Sequence, residues 1–198
     1  MKNVLLLKSS ISGSASQSNQ LSDYFIANFP YEHLIERDLT KEGMPHFDSI
    51  AANALRGEAK SAEEQAILSH SNTLIEELKK SDIVVINAPV YNFMIPTQLK
   101  SYFDYIARPR VTFQYTEAGP EGLIKGKKAV VILTSGGFHQ GTERDLVSAY
   151  LKIMLGFIGI TDVTFIYAEG LGTGAEAVIK AQNKAKAEID QFIAFAHT

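Results

Sequence analysis

The chain has 198 residues, 45% hydrophobic and 21% charged, with 22 acidic and 19 basic side chains for a net charge of -3. These values describe one ordinary globular domain, large enough to bury a core without disulfide or metal staples. The near-balanced charge excludes the basic footprint of a nucleic-acid or anionic-membrane binder. The lack of any cysteine excludes disulfide frameworks, thiol nucleophiles, CxxC redox pairs and thiolate metal sites.

Residues 4–7 form a short apolar strand, and a secretory signal would need a longer apolar run than MKNVLLLKSS offers. No stretch approaches the ~18 apolar residues of a membrane-spanning helix, so a cytoplasmic protein with no membrane partner is expected. The serine-rich segment SSISGSASQSNQ (residues 9–20) then leads into Leu21, Tyr24, Phe25 and Phe29 at helical spacing. It reads as a strand-to-helix turn, capped by the hydroxyl of Ser16 or Ser18. Helix N-termini also attract anions, since their free N–H groups and the helix dipole point the same way.

Residues 34–39 (LIERDL) suit a second strand near a sheet edge. Residues 40–56 are irregular, apart from a short helix over 49–56. Residues 62–80 form a helix with an apolar stripe of Ile67, Leu68, Leu74, Ile75 and Leu78. Residues 82–89 (DIVVINAP) form a third strand, buried on both faces, which runs into Val90, Tyr91, Asn92 and Phe93. Pro96 fits the first turn of a helix continuing through Leu99, Tyr102, Phe103 and Ile106. Residues 111–115, with the turn GPEG at 119–122, predict a small hairpin.

Residues 129–133 (AVVIL) form a fourth buried strand ending in Thr134, Ser135, Gly136 and Gly137. A helix over 144–157, ending near Gly156, a fifth strand over 163–167 and a closing helix over 175–195 complete the chain. Five strands alternating with helices predict a single α/β domain over residues 1–198. The sheet is doubly wound and parallel, of flavodoxin-like order 2-1-3-4-5, with helices on both faces.

In such sheets ligands sit beyond the carboxyl ends of the strands. Neither GxGxxG after the first strand nor GxxxxGK[ST] anywhere is present, so a Rossmann dehydrogenase and a P-loop enzyme are set aside. Three strand ends carry ligand-friendly chemistry instead. Serine hydroxyls and amides without a lysine suit a monophosphate, or merely populate a solvated turn. Tyr91, Asn92 and Phe93 can cover a flat heterocycle, or fold back into the core. Thr134 to Gly137 leave room for close approach, or simply make a turn. A planar ring with a phosphate tail spans all three, and flavin mononucleotide (FMN) has that shape. No metal-ligand spacing surrounds His46, no GxSxG elbow occurs, and His139 is a loop histidine that either contacts a ligand or is solvated.

The segments LLLKSSISGSASQSNQLSDYF, APVYNF, TQLKSYFDYIARPRVTFQYTEAGP, EGLIKGKKAVVI and LGFIGITDV resemble FMN-dependent NADH-azoreductases of the flavodoxin-like type. These enzymes are also described as NADH:quinone oxidoreductases. The resemblance covers nearly the whole chain, residues 2 to about 190. It implies a homodimer with one FMN near the interface in each half. By position, Ser10, Ser16, Gln17 and Ser18 match the family's phosphate turn. Val90, Tyr91, Asn92 and Phe93 match its ring-contacting loop, where methionine often replaces Val90. Thr134, Ser135, Gly136 and Gly137 match its third FMN segment, with Thr134 and Ser135 standing where a relative has Ser-Arg. Phe113, Tyr115 and Phe157 match aromatics that the partner subunit places over the flavin.

The resemblance further implies that no side chain is a catalytic nucleophile, because the chemistry belongs to the cofactor. NADH and then a quinone or azo acceptor would use FMN in a ping-pong order, with two cycles for full azo cleavage to amines. The rival expectations are a flavodoxin-like electron carrier serving a protein partner and a sensing or structural protein without turnover.

Overall fold

The computed structural model describes residues 1–41 and 43–196. Glu42, inside the segment expected to be irregular, lies outside the described residues, as do His197 and Thr198. Five strands form one parallel sheet: β1 (Lys2–Lys8), β2 (Tyr31–Asp38), β3 (Ile83–Pro89), β6 (Lys128–Thr134) and β7 (Asp162–Ala168), in the order β2-β1-β3-β6-β7. Counting only these strands, that is the expected 2-1-3-4-5 order. A two-stranded hairpin, β4 (Phe113–Thr116) and β5 (Gly119–Gly122), stands apart from the sheet.

Successive side chains on a strand point to opposite faces, and here both faces are covered. Val4 and Leu6 of β1 join Phe25 of α1 (Gln17–Asn28) and Ile189 of α6 (Ala175–Ala196) on one side. Leu5 and Leu7 point the other way. They pack with residues of α2 (Ser49–Arg56), α3 (Ala62–Lys80), α4 (Thr97–Ile106) and α5 (Leu146–Ile158). All seven residues of β3 are buried. A strand enclosed this way has to be apolar throughout, which is why the central strands read as unbroken runs. Each fully buried Leu, Val or Ile side chain contributes about 1.5–3 kcal/mol.

The edge position of β2 suits its charges. Lys8 of β1 bonds Glu36 at 2.8 Å and Asp23 at 2.9 Å, and Arg37 meets Glu77 of α3 at 2.6 Å in a largely enclosed pair. The strand itself begins three residues before the expected start, because Tyr31 pairs with Lys2 across the edge. Helix ends also differ from expectation. Pro96 is the N-cap of α4, not a first-turn residue. The start of α5 is set by Asp145, whose side chain accepts from the Ser148 N–H. That helix passes Gly156 and stops at Gly159, which adopts the left-handed φ of 107°.

Gly159 also receives the hairpin. A Cβ on Gly122 would lie 2.1 Å from the Gly159 nitrogen, and the Ile124 N–H donates to the Ile158 carbonyl at 2.8 Å. The two backbones touch because neither residue has a side chain. Gly122→Ala should therefore lift the hairpin off α5 and cost about 2 kcal/mol or more, the range of overpacked sites. Urea unfolding of the variant measures this, and an unchanged midpoint would reject the contact as a structural anchor.

Candidate functional site

The carboxyl ends of β1, β3 and β6 converge, and each loop is held by another. After β1 the chain makes a single 3-10 turn (Gly13–Ala15), with Gly13 at φ 53°, before α1 begins. The cap of α1 is Ser16, whose Oγ accepts from the Asn19 N–H at 3.1 Å. Ser18 lies inside the helix, buried, with its Oγ 3.1 Å from that of Ser16. The first two N–H groups of α1, on Gln17 and Ser18, have no partner among the described residues, as the start of a helix requires. The Gln17 side chain is tied outward, accepting from Gln182 of α6 at 2.8 Å.

A core residue props this turn from below. Asn87, wholly buried in β3, donates to Asn19 Oδ1 at 3.0 Å and to Ser22 Oγ at 2.9 Å. Asn19 in turn donates to the Gly13 carbonyl at 3.4 Å, and Ser9 Oγ donates to the Asn87 carbonyl at 2.6 Å. A buried amide in a strand otherwise made of apolar residues is costly unless bonded; here the nitrogen is bonded twice, while Oδ1 is buried without a partner among the described residues. The amide sets the height of α1 over the sheet. The signal was present in the sequence, as the one polar residue within DIVVINAP after its opening aspartate.

The second loop is a tight reversal. Tyr91 and Met94 exchange two backbone hydrogen bonds of 2.9 and 3.1 Å around Asn92 at φ 50° and Phe93 at φ 65°. Two positive φ values in succession make a type I′-like turn. Asparagine tolerates that conformation, whereas a phenylalanine there costs of order 1–3 kcal/mol and persists only where its surroundings hold it. The ring of Phe93 is not folded into the core. It is 55% exposed, with its centroid 5.8 Å from the His139 ring in an edge contact. The Tyr91 hydroxyl accepts from the Ile11 N–H at 3.1 Å and shares a hydrogen bond with Ser10 Oγ at 3.2 Å. It joins the first loop to the second. The Val90 N–H donates to the Thr134 carbonyl at 2.8 Å, which joins the second to the third.

In the third loop the carbonyls of Ser135, Gly136 and Gly137 accept from Leu171, Gly172 and Gly170 respectively, at 3.1, 3.0 and 2.9 Å. Across a trans peptide plane the following N–H points the opposite way. The N–H groups of Gly136, Gly137 and Phe138 are thereby turned away from the 170–172 segment, and none has a partner among the described residues. Thr134 and Ser135 are nearly buried. Glu169 Oε1 accepts from the N–H groups of His139 and Gln140 at 2.7 and 3.0 Å, a contact that sequence reading missed. Farther along, Tyr167 donates to Asp145 Oδ2 at 2.8 Å. Burial pushes the Tyr167 hydroxyl up to about 12, with Asp145 adding to the effect.

Together these loops line a cavity of about 160 Å³, with Ser10, Ser16, Gln17, Val90, Tyr91, Thr134, Ser135 and Gly136 in its walls. Leu171 also lines it and was not anticipated. The lining carries hydroxyls, amides and free N–H groups but no charged side chain. The cavity is smaller than the roughly 300–1,000 Å³ that encloses a typical ligand. One chain thus offers a shallow polar pocket at the start of α1, open on one side.

Of the hairpin aromatics, Tyr115 is 75% exposed, whereas Phe113 is buried in its own chain with Phe157 at a ring distance of 4.3 Å. Among the described residues no group of three or more His, Cys, Asp or Glu could hold a metal ion. None of the described helices is long and apolar enough to cross a membrane.

A doubly wound parallel sheet of this order, β2-β1-β3-β6-β7 with helices on both faces, defines a flavodoxin-like fold. A family profile described as flavodoxin-like fold matches residues 2–193, and the chain belongs to that family. It is 58% identical over 193 residues to an FMN-dependent NADH:quinone oxidoreductase of Haemophilus influenzae, covering 98% of each chain. It is 51% identical to the enzyme of the same name from Cronobacter sakazakii, covering 98% of this chain and 99% of the other. Among solved structures, an FMN-dependent NADH-azoreductase of Bacillus anthracis in complex with FMN superposes with a TM-score of 0.83. The two are 26% identical, covering 98% of this chain and 100% of that one.

Tyr91→Phe removes the hydroxyl that joins the first two loops and should destabilise the apoprotein by about 1 kcal/mol. Urea denaturation measures that loss; a stability equal to the parent's would show that the loops are fixed independently of Tyr91.

Proposed function

We infer that this chain is an FMN-dependent NADH:quinone oxidoreductase that also reduces aromatic azo compounds. The observation that carries the reading is the convergence of three loops on a cleft whose donors suit a phosphate and a planar ring. The cradle fits FMN on its own chemistry. The free N–H groups of Gln17 and Ser18 meet the positive end of the α1 dipole, where a phosphate monoester is stabilised without a lysine. The hydroxyls of Ser10 and Ser16 stand beside them.

Ser10, Ser16, Gln17 and Ser18 would hold the phosphate. Val90, Tyr91, Asn92 and Phe93 would support one side of the ring, and Thr134, Ser135, Gly136 and Gly137 its acceptor edge. The chemistry that bound FMN supplies is two-electron hydride acceptance and donation. The protein's own residues bind, orient and cover. The strained turn at Asn92 and Phe93 keeps an aromatic face in the opening, and the loop-to-loop hydrogen bonds remove freedom that binding would otherwise have to freeze. Donor and acceptor occupy the same opening in turn, a ping-pong order, and stacking imposes little selection on the acceptor.

The reading includes a homodimer working in the cytoplasm. Leu146 and Ile153, seven residues apart on one face of α5, are 51% and 73% exposed, and Lys152 is the helix's only charge. Tyr115 projects from the hairpin docked at the same helix's carboxyl end. An exposed apolar face beside a half-walled cleft is the arrangement that a second copy would complete. Tyr115, with Phe113 and Phe157 packed behind it, would then roof the partner's flavin.

The FMN-loaded protein under anaerobic conditions should lose its visible flavin bands on adding NADH and regain them on adding a quinone. Flavin that stays oxidised would favour the electron-carrier alternative. By sedimentation equilibrium the mass should be that of two chains, falling toward one in Ile153→Glu. A parent that sediments as one chain would refute the dimer.

A further inference from the structure

We propose that Glu169 is a positioning residue that holds the 135–140 turn in the one shape that offers consecutive N–H groups to the cleft. The proposal rests on the FMN reading above and assigns a role to a residue outside the three strand-end loops. The turn contains two adjacent glycines, residues with more conformational freedom to lose than any other. Left alone it would sample many shapes, and few of them would align its N–H groups.

Two sets of bonds remove that freedom. The carbonyls of residues 135–137 are committed to the 170–172 segment, as described. Glu169, the residue immediately before that segment, closes the turn at both ends. Its Oε1 accepts from His139 at 2.7 Å and Gln140 at 3.0 Å, where the turn finishes, and lies 3.5 Å from Ser135 Oγ, where it starts. Ser135 Oγ donates to the Gly137 carbonyl at 2.9 Å, so the carboxylate and the turn's midpoint share one hydroxyl.

The His139 N–H points at Glu169, whereas the N–H groups of the three residues before it point to the opposite side. The carboxylate therefore marks the place where the chain reverses its peptide planes. It also places the side chains that follow. Phe138 lies against Gly170, where a Cβ would come within 2.4 Å of its ring, and His139 meets Phe93 across the opening.

The geometry makes separate demands on length and on charge. Glutamine keeps an acceptor oxygen at the same reach and loses only the charge. Aspartate keeps the charge but is one methylene short. Alanine loses both. The test is titration of each full-length apoprotein with FMN, followed by flavin fluorescence. Glu169→Gln should bind within about threefold of the parent, whereas Glu169→Asp and Glu169→Ala should bind at least tenfold more weakly, equivalent to about 1.4 kcal/mol. Amide hydrogen exchange of residues 136–140 in the apoproteins should rise in Asp and Ala and stay low in Gln.

Wild-type binding in all three variants would overturn the proposal. So would a Gln variant as weak as Ala, because the effect would then be one of charge. If Glu169→Ala fails to fold, the contrast between Gln and Asp decides the matter alone. A parent that takes up no FMN would overturn the functional reading itself, whereas parent uptake with a flat variant series overturns only the role of Glu169.

Discussion

Burial of the central strands on both faces is the constraint from which the rest of this protein follows. With helices above and below, β1, β3 and β6 have almost no place for polar chemistry along their length. Whatever binds must be met where the strands end and their backbone groups come free. The exception, Asn87, supports the rule: it is the single amide within β3, and its bonds run to Asn19 and Ser22, beneath the loop that follows β1. The polar group in the core serves the site at the strand ends.

The site is built chiefly from backbone. The groups left unpaired there, among the described residues, are the first N–H groups of α1 and those of the glycine turn, and the side chains act mainly on one another. Tyr91 reaches Ser10 and Ile11, Val90 reaches Thr134, and Glu169 reaches His139 and Gln140. Such mutual restraint compensates for glycines and serines, which are chosen for access and carry little intrinsic rigidity. It also accounts for a cleft without charged walls: a helix N-terminus supplies the positive field that a lysine supplies elsewhere. The cost of the strained pair Asn92 and Phe93 is borne by two backbone bonds between Tyr91 and Met94 and by the packing of Phe93 against His139.

Much of this was legible before any coordinates. Unbroken apolar runs marked the buried strands, and the 3.6-residue stripe of Leu74, Ile75 and Leu78 marked α3, where Ser61 and Glu64 form a capping box. The strand order followed from counting βα units. The ends of the helices, by contrast, depend on local competition between neighbours. Ser16 and Ser18 were equal candidates for the α1 cap, and only the path of the preceding turn favours Ser16. Pro96 stands at the N-cap of α4, one position ahead of the first helical residue that its fixed φ suits. The limits of α5 moved because Asp145 and Gly159, not Arg144 and Gly156, hold its ends.

The sequence by itself determined the fold class, the edge position of β2 and the three loops that follow β1, β3 and β6. Those features depend on periodicity and on residue chemistry within a few positions of one another. The tertiary structure decided which hydroxyl meets which amide, and that Glu169, 34 residues beyond Ser135 in the chain, reaches back to the glycine turn. It also decided that Phe113 faces its own Phe157 while Tyr115 faces outward. These pairings arise from strands brought side by side after long crossovers, and no local pattern records a distance between residues the chain places far apart.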